Sequence, residues 1–457
     1  LDPLPLKTYN NIHEGNALRM DWNNVIPAAD LDYIMGNPPF LGARIMSAEQ
    51  KDDLISVFGA KWKNIGNMDY VTGWYKKSLE MMKINPQIQA ALVSTNSITQ
   101  GEQVANLWEP LMSQGIVINF AWRTFIWDSE ASQKAHVHCV IVGFSLCHSE
   151  RKRRIYDGKA VSEVLNINGY LIDGEDVFVG SRQHPISEVP EIGIGNKPID
   201  GGFYLFKDDE KVEFVKREPG SDKYFKRWYG SDEFINRRPR WCLWLGDANP
   251  MELLKLPECM KRIEAVREYR LASPSAGTVK LADRPTRFHV ENMPDSNYLL
   301  IPKVSSERRQ YIPIGFMSPD VLSSDLVFII PDASLYHFGV LTSSVHNAWM
   351  RVVCGRLKSD FRYSKDIVYN NFPWPEANEQ QRNKIEETAK MILDARENSP
   401  EASMADFYSN LILFPDLMKA HRANDAAVLE AYGFPKDATE SDIVARLFKM
   451  YQELTSH

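Results

Sequence analysis

The sequence has no apolar run that approaches the roughly eighteen residues of a membrane-spanning helix. Its first residues include neither the basic stretch nor the apolar run of a secretory signal. Cysteine is scarce as well, because the chain holds five and none of them forms a CxxC pair. These absences argue against a membrane protein or a disulfide-bonded secreted protein, so we expect reduced core thiols in a cytoplasmic protein.

Groups of metal ligands are equally sparse. His136 and His138 alternate on an apparent strand, and a metal ion could be held by such a pair. We favour a structural role for both histidines and predict no metal site.

Positive charge is in deficit, since the net charge is −7. Such a balance at first argues against a nucleic-acid partner. The segment from Glu376 to the end holds nine Lys and Arg against fifteen Asp and Glu, so most of the excess acid lies there. The preceding residues are close to neutral and contain basic clusters, and a local patch is what contact with phosphates requires.

The first 150 residues alternate strand-like and helix-like patterns. Short apolar runs predict strands at residues 31–35, 90–94, 117–122 and 136–144, and a longer segment predicts a helix at 70–83. Strands that are separated by helices predict a doubly wound α/β sheet.

The basic segment at residues 150–154 marks a change of pattern. Beyond it the sequence is irregular as far as Phe372-Pro373-Trp374-Pro375, because prolines cannot extend a helix or a central strand. Helical patterns then follow at 379–398, 405–421, 425–432 and 441–455. We therefore predict three domains, which are an α/β domain at 1–165, a mixed α+β domain at 166–375 and a helical region at 376–457.

The motif Asn37-Pro38-Pro39-Phe40 directly follows a strand that we predict to be buried. Ligands of open α/β sheets bind beyond the carboxyl ends of the strands, so this stiff turn is expected to face an active-site crevice. The Asn37 side-chain oxygen and the Pro38 carbonyl could accept both hydrogens of an exocyclic amino group, while Phe40 stacks on the same base after it leaves the duplex. The alternative is that the motif is only a turn.

Two flanking segments favour the functional interpretation. Asp21 follows a predicted strand near residues 11–13, and its carboxylate could accept a hydrogen bond from the adenine amino group of a cofactor. Downstream, residues 94–97 end the next strand at the same predicted edge of the sheet.

Several segments carry a resemblance to known families. Residues 15–21, 37–40, 92–100 and 137–144 resemble successive motifs of the gamma-type amino-methyltransferases. Residues 300–309, 355–364 and 369–375 resemble the MmeI-like, type IIL, single-chain restriction–modification enzymes, and the similarity spans essentially the whole chain. The resemblance implies the C-terminal half of a Rossmann-like methyltransferase sheet, followed by a target-recognition domain and a helical segment.

The same resemblance implies N6 methylation of adenine in double-stranded DNA, with S-adenosylmethionine as the methyl donor. The catalytic turn would be the Asn37–Phe40 motif, and the residues near the cofactor would be Asp21, Asn16 and Ala17. Phe144 ends a predicted strand and is a candidate for a second stacking residue, although an aromatic residue at a strand end is more often part of the core.

The sequence departs from this family in two respects. The glycine-rich cofactor loop should precede the segment that begins here, and Gly36 and Gly42 do not form that fingerprint. The N-terminal nuclease of the family is also absent. We therefore interpret the chain as an N-terminally truncated part of a longer protein that carries both segments. Alone, it is expected to bind the cofactor weakly or not at all, to be inactive and not to cut DNA.

Between residues 170 and 375, Arg and Lys repeatedly neighbour aromatic residues, as in Arg237-Arg238-Pro239-Arg240-Trp241. Arg can read guanine through a forked contact and can also neutralise phosphates, so these clusters suit a surface that lines a DNA groove. The alternative is that the aromatic residues are core and that the arginines only solvate its rim.

We choose Glu307 and Arg309 as base readers, with Arg308 between them. Two residues apart, they are expected on the same side of a strand or extended loop, where Glu accepts from cytosine and Arg donates to guanine. Lys358, Ser359 and Arg362 better fit contacts that position the DNA backbone.

Two other functions stay open at this point. Asn-Pro-Pro-aromatic turns also resemble those of enzymes that methylate RNA bases or protein glutamine, although such acceptors would not call for the long region after residue 170. The missing cofactor loop favours a non-catalytic DNA specificity or interaction module.

Overall fold

The computed structural model describes residues 12–59, 61–127, 137–146, 152–409 and 414–456. The chain forms two compact units, which comprise residues 1–181 and 182–457. Within the described ranges, no helix is both long enough and apolar enough to cross a membrane.

The first unit is built on a mixed sheet. Its strands, within the described residues, are β1 (Tyr33–Gly36), β2 (Gln89–Thr95), β3 (Val117–Trp127), β4 (Val137–Ser145), β5 (Arg153–Asp157) and β6 (Ala160–Val164). They lie in the order β1-β2-β4-β3-β5-β6. β1 is parallel to β2 and β3 to β5, whereas the other neighbouring pairs are antiparallel. The predicted α/β class is confirmed here, although the sheet is not wholly parallel.

The described part of the unit contains the helices α1 (Trp22–Val25), α2 (Ala48–Phe58), α3 (Thr72–Ile84), α4 (Gly101–Gln103) and α5 (Glu109–Met112). Of these, α3 packs against the sheet at β2 and is itself contacted by α1 and α2. The core forms where Tyr75 of α3 meets β4, since its ring centroid lies 5.1 Å from that of Phe144 and 5.4 Å from that of Trp108. The predicted helix at 70–83 is therefore confirmed as α3.

β1 is an edge strand of the described sheet and pairs there with β2 only. Tyr33 and Met35 are 65% and 81% exposed. The prediction that this strand is buried is wrong, because its apolar side chains meet no second neighbouring strand in the described residues. The strand predicted near residues 11–13 is not found at residues 12–14, which form no ladder, and residue 11 lies outside the described residues.

The second unit is a mixture of short strands and helices. The strands that the described residues form are β7 (Gly193–Ile194), β8 (Leu205–Phe206), β9 (Phe225–Tyr229), β10 (Arg240–Leu243), β11 (Tyr298–Pro302), β12 (Val304–Ser305), β13 (Gly315–Met317), β14 (Leu322–Ser323), β15 (Val327–Ile330), β16 (Gly355–Leu357) and β17 (Asp360–Arg362). They form sheets in the orders β14-β9-β10-β8, β13-β11-β15-β7 and β12-β17-β16. The predicted α+β character of this region is confirmed.

The longest helices in the described residues of the second unit lie after residue 378. The helices of this part of the chain are α6 (Asp208–Arg217), α7 (Ser231–Asn236), α8 (Pro250–Leu253), α9 (Pro257–Leu271), α10 (Ala276–Lys280), α11 (Leu335–Leu341), α12 (Ser344–Val353), α13 (Glu379–Glu397), α14 (Met404–Phe407), α15 (Pro415–Tyr432) and α16 (Glu440–Thr455). α13 and α16 confirm the predictions at 379–398 and 441–455.

α15 differs from the prediction, because it runs unbroken through residues 421–425, where two separate helices are predicted. Asn424, one of the polar residues in this stretch, has hydrogen-bond partners inside the helical bundle. Asn424 is fully buried, donates to the Gly339 carbonyl at 2.8 Å and accepts from the Thr388 hydroxyl at 3.1 Å. Residues 410–413 of the predicted helix at 405–421 lie outside the described residues.

Arg270 of α9 is a fully buried cation. Its guanidinium donates five hydrogen bonds of 2.8–2.9 Å, all of them to main-chain carbonyls, which are those of Pro198, Ile199, Leu281, Arg284 and Arg287. A buried charge is tolerated only when its donors are satisfied. Arg270 therefore fastens α9 to two other segments of the unit, near residues 198–199 and 281–287.

Candidate active site

The Asn37-Pro38-Pro39-Phe40 turn leaves the carboxyl end of β1. Asn37 is exposed, Pro38 is buried and Phe40 is half-buried. Within the described part of the chain, no group hydrogen-bonds to the Asn37 side chain or to the Pro38 carbonyl. Two acceptors of consecutive residues therefore have no hydrogen-bond partner in the described residues, and they lie close in sequence to an aromatic ring.

Tyr70 joins this turn to the loop at residues 15–21. Its main-chain N–H donates to the Leu41 carbonyl at 2.9 Å, directly after the turn. Its hydroxyl donates to Asp53 at 2.8 Å and accepts from Asn16 Nδ2 at 3.3 Å. The structure thus brings together two of the segments that the sequence singles out.

Asp53 of α2 is a buried acid that binds side chains of the loop at residues 15–21. Arg19 Nε donates to its carboxylate at 2.6 Å and Asn16 Nδ2 at 2.9 Å, in addition to the Tyr70 hydroxyl. Burial alone would raise the pKa of Asp53, but these hydrogen bonds and the Arg19 charge outweigh burial, so the pKa lies below its usual value. The loop is therefore anchored to a charged carboxylate.

A second buried acid, Asp69, lies just before α3. It accepts from the Ala43 N–H at 3.0 Å, from Gln103 Nε2 at 2.9 Å and from the Ser97 hydroxyl. Ser97 belongs to the polar segment that ends β2, and Ala43 follows the turn that ends β1. The carboxyl ends of the two parallel strands therefore meet at this carboxylate.

Sequence reasoning misses Asp53, Asp69 and Tyr70. An acid just before a helix usually reads as a cap, and an acid within a helix usually reads as a solvated side chain. Neither pattern indicates that both acids are buried. Only long-range contacts identify them as supports of the site, namely those of Asp53 with Asn16 and Tyr70 and those of Asp69 with Ala43 and Ser97.

The three residues predicted near a cofactor differ in availability. Asp21 is exposed, and one of its oxygens caps α1 by accepting from a main-chain N–H at 3.0 Å. Asn16 has a partner at each polar side-chain atom, because its oxygen accepts from a main-chain N–H at 2.9 Å. The Ala17 carbonyl accepts from Trp22 Nε1 at 2.8 Å. Asp21 is thus the acid of this loop that can still receive a ligand.

The Phe144 ring has no exposed face on which a base could stack. It is fully buried, and its ring is stacked on Tyr75. It also pairs with Ala90 at the start of β2, whereas the turn at residues 37–40 follows the end of the parallel strand. The prediction of a second stacking residue is therefore wrong at Phe144, because the side chain fills the core beneath α3.

The structure places the predicted DNA-contacting residues on or beside one small sheet, β12-β17-β16. Lys358 and Ser359 form the two-residue turn between β16 and β17, in which Lys358 has a φ of 58°. Arg362 ends β17 opposite Val304 of β12. A non-glycine residue in the left-handed region is uncommon and fits a tight hairpin turn.

Glu307, Arg308 and Arg309 follow β12 in a turn that Ser306 closes. The Ser306 carbonyl accepts from the Arg309 N–H at 3.1 Å, so these residues do not form an extended segment. The expectation that Glu307 and Arg309 share one side of a strand or extended loop is therefore wrong. Glu307 is exposed and forms an ion pair with Arg356 at 3.8 Å, whereas burial lowers the pKa of the half-buried Arg309.

The described residues contain no group of three or more His, Cys, Asp or Glu side chains that could hold a metal ion. His136 of the predicted pair lies outside the described residues, and His138 is half-buried on β4. Four cysteines are free and buried, which are Cys139, Cys242, Cys259 and Cys354. Cys147 lies outside the described residues.

Family models of MmeI match the chain along its length. The DNA-methyltransferase domain of MmeI matches residues 1–157, its target recognition domain 173–376 and its C-terminal domain 377–457. DNA methyltransferase A of Bacillus subtilis (strain 168) is 38% identical over 454 residues, which cover 99% of this chain and 51% of that protein. The chain thus spans about half the length of this curated relative.

A solved structure of the type IIL restriction–modification enzyme MmeI in complex with DNA is also similar. It is 47% identical and has a TM-score of 0.94, and the match covers 99% of this chain and 61% of that one. The predicted resemblance is confirmed, and so is the predicted order of a methyltransferase sheet, a mixed recognition region and a helical segment. The chain belongs to the MmeI family.

Proposed function

We propose that the protein methylates DNA as part of a restriction–modification system, and that the acceptor is N6 of an adenine turned out of the duplex. The observation that carries this proposal is the pair of unpartnered acceptors, the Asn37 side chain and the Pro38 carbonyl, next to the half-buried Phe40. Adenine offers a matching amino group and a flat face for stacking. The match of residues 1–157 to a DNA-methyltransferase domain supports methyl transfer as the reaction.

The turn would activate the amino nitrogen by holding its two hydrogens. The lone pair of this nitrogen is delocalised into the ring, so the nitrogen is a weak nucleophile. Hydrogen bonds to Asn37 and Pro38 favour a pyramidal nitrogen whose lone pair points away from the ring plane. S-adenosylmethionine, when bound, would supply an electrophilic methyl group, whose bond to the donor sulfur breaks as the new N–C bond forms. One proton of the methylated nitrogen would then leave to water, so alignment matters more than a strong base.

The described chain offers part of a site for the methyl donor. The exposed Asp21 carboxylate has one oxygen without a partner in the described residues, and it can accept from the amino group of the donor's adenine. Asn16 and Ala17 instead shape the loop through internal hydrogen bonds. The sequence contains no GxGxxG fingerprint of a glycine-rich loop that would bind the rest of the donor. A polypeptide limited to this sequence is therefore proposed to bind the donor weakly and to be inactive.

The sheet β12-β17-β16 and its turns are the surface that we propose for target recognition. Four of the predicted contact residues are exposed, namely Glu307, Arg308, Lys358 and Arg362. Arg309 is half-buried and retains its charge at neutral pH, since a guanidinium cannot be deprotonated in proteins. Exposed cations suit phosphates, and an acid and a guanidinium suit base edges.

The rival functions are methylation of RNA or a protein amide, and a non-catalytic specificity module. The match of residues 173–376 to a target recognition domain, and the similarity to a DNA-bound MmeI, favour DNA as the partner. The unpartnered acceptors at Asn37 and Pro38 favour catalysis over a role in recognition alone.

The test is Asn37→Ala in the complete natural protein. Loss of one acceptor for the amino group is expected to lower methylation by at least about two orders of magnitude. DNA affinity should stay near the wild-type value, because no phosphate contact is removed. Methylation is followed by transfer of a labelled methyl group to DNA, and affinity by anisotropy of a labelled duplex.

Asn398→Ala is the matched control, because Asn398 is an exposed asparagine of the second unit. This variant should methylate DNA at the wild-type rate. Wild-type methylation by Asn37→Ala would show that Asn37 is only a turn residue and would contradict the proposed function.

A further inference from the structure

Asp69 occupies a position that ordinary helix capping does not explain. The residue is only 8% exposed, and its carboxylate accepts three hydrogen bonds. None of the three donors belongs to α3, the helix that follows it. They come from Ala43, Ser97 and Gln103, which lie on three different segments of the unit.

One oxygen of the carboxylate binds the segment that follows the Asn37–Phe40 turn. Asp69 Oδ1 accepts from the Ala43 N–H at 3.0 Å and from Gln103 Nε2 at 2.9 Å. The next residue adds a second anchor, because the Tyr70 N–H donates to the Leu41 carbonyl at 2.9 Å. The stretch that directly follows Phe40 is therefore fixed at both residue 41 and residue 43.

The other oxygen serves the end of β2. Asp69 Oδ2 accepts from the Ser97 hydroxyl, which in turn lies 2.7 Å from the Thr95 hydroxyl. Gln103 closes the arrangement, because its oxygen accepts from the Asp69 N–H at 3.3 Å while its nitrogen donates to the carboxylate. An ionised carboxylate is suited to this task, since both of its oxygens only accept.

We propose that Asp69 is a positioning residue for methyl transfer, one that sets the Asn37–Phe40 turn relative to the end of β2. This inference rests on the proposed function of that turn. In this role Asp69 acts through its hydrogen bond with the Ala43 N–H. It does not itself contact the base or the methyl donor. Because a misplacement of about 1 Å at a reacting centre can cost about 100-fold in rate, loss of the anchor should act on the chemical step.

The experiment compares Asp69→Ala and Asp69→Asn in the complete natural protein. Asp69→Ala removes all three acceptor contacts and should lower kcat by about 10- to 100-fold, with KM for DNA within about three-fold of wild type. Asp69→Asn should recover kcat to within about five-fold of wild type. Its oxygen can still accept from Ala43 and Gln103, and its nitrogen can donate to Ser97, whose hydroxyl then donates to Thr95.

Asp32→Ala is the matched control. Asp32 is an exposed acid just before β1, at the opposite end of the strand that carries the turn. The kcat and KM of Asp32→Ala should both equal those of the wild type. Thermal unfolding of all variants separates folding from positioning, because a purely structural role would lower stability and leave kcat of the folded fraction unchanged.

Ser97→Ala keeps the test decisive if Asp69→Ala does not fold. It removes one of the three donors and should lower kcat by about three- to ten-fold at an unchanged KM. A kcat of folded Asp69→Ala within two-fold of wild type, or an unchanged kcat in Ser97→Ala, would overturn the inference. A wild-type protein that methylates no DNA would instead contradict the proposed function, which separates the two failures.

Discussion

Arg270→Met should destabilise the second unit by about 4 kcal/mol or more. Arg270 is fully buried, and the substitution removes five hydrogen bonds to main-chain carbonyls. Each buried carbonyl that is left without a donor costs about 1–3 kcal/mol. Members of one network do not contribute additively, so the sum is an upper bound. Even if the surrounding structure relaxes and some of these carbonyls find new donors, the remaining loss in the free energy of unfolding is a large share of the total stability of a domain.

Two variants of the same helix calibrate this expectation. Arg270→Lys keeps the charge but offers three donors from one nitrogen, so at most three of the five carbonyls can be satisfied, and we expect about half the loss. Arg267→Met is the matched control, because Arg267 is exposed on α9 and pairs with Glu264 at 3.2 Å. Exposed pairs contribute little, so its loss should stay below about 0.5 kcal/mol.

The assay is urea unfolding monitored by tryptophan fluorescence, since Trp228 and Trp244 belong to the core cluster of this part of the unit. The slope of the free energy against urea should be the same for all variants, so that a shift of the midpoint reports stability. A loss below about 1 kcal/mol for Arg270→Met, or equal losses for Arg270→Met and Arg267→Met, would refute the reasoning.

Two further predictions concern recognition and pH. Exchanging charges by Glu307→Lys with Arg309→Asp should shift the base preference at one position by about one to two orders of magnitude in methylation of a randomised duplex library. Uniformly weaker activity with unchanged preference would assign both residues to phosphate contact or scaffold. The folded-state pKa of Asp53 is lowered, so its contribution to stability is present above the unfolded pKa and is lost as the pH falls through the folded pKa. Asp53→Asn should therefore lose stability relative to wild type at neutral pH, and urea midpoints should converge below about pH 4; a constant gap would contradict this.

The sequence predicts strands β1 to β4 and helix α3 of the first unit because their patterns are local. Strand β2 alternates buried and partly exposed residues, and the adjoining helix α3 carries one apolar face. The exposure of β1 is not a local property. Residues 33–36 have the composition of a buried strand, but exposure depends on which strands lie beside them.

The supports of the site show the same limit more sharply. Asp69 and Ala43 are 26 residues apart, and Asn16 and Tyr70 are 54 apart. No spacing rule connects residues at such distances, so their contacts appear only after the chain has folded. Phe144 is the converse case, because its place at a strand end is visible in the sequence, whereas its burial against Tyr75 depends on how α3 packs.

Tyr70 has one further consequence, because it contacts two loops with two different groups. Its main-chain N–H donates to the Leu41 carbonyl just after the Asn37–Phe40 turn, and its hydroxyl contacts Asn16 in the loop that carries Asp21. If donor binding shifts the loop at residues 15–21, Tyr70 can transmit that shift to the Asn37–Phe40 turn. Thermodynamic linkage then requires reciprocity, so that whatever factor the donor adds to the affinity for the target base, the base adds to the affinity for the donor. Tyr70→Phe keeps the main-chain bond and removes both hydroxyl bonds, those with Asp53 and Asn16, so it should weaken this cooperativity while leaving each separate affinity near its original value.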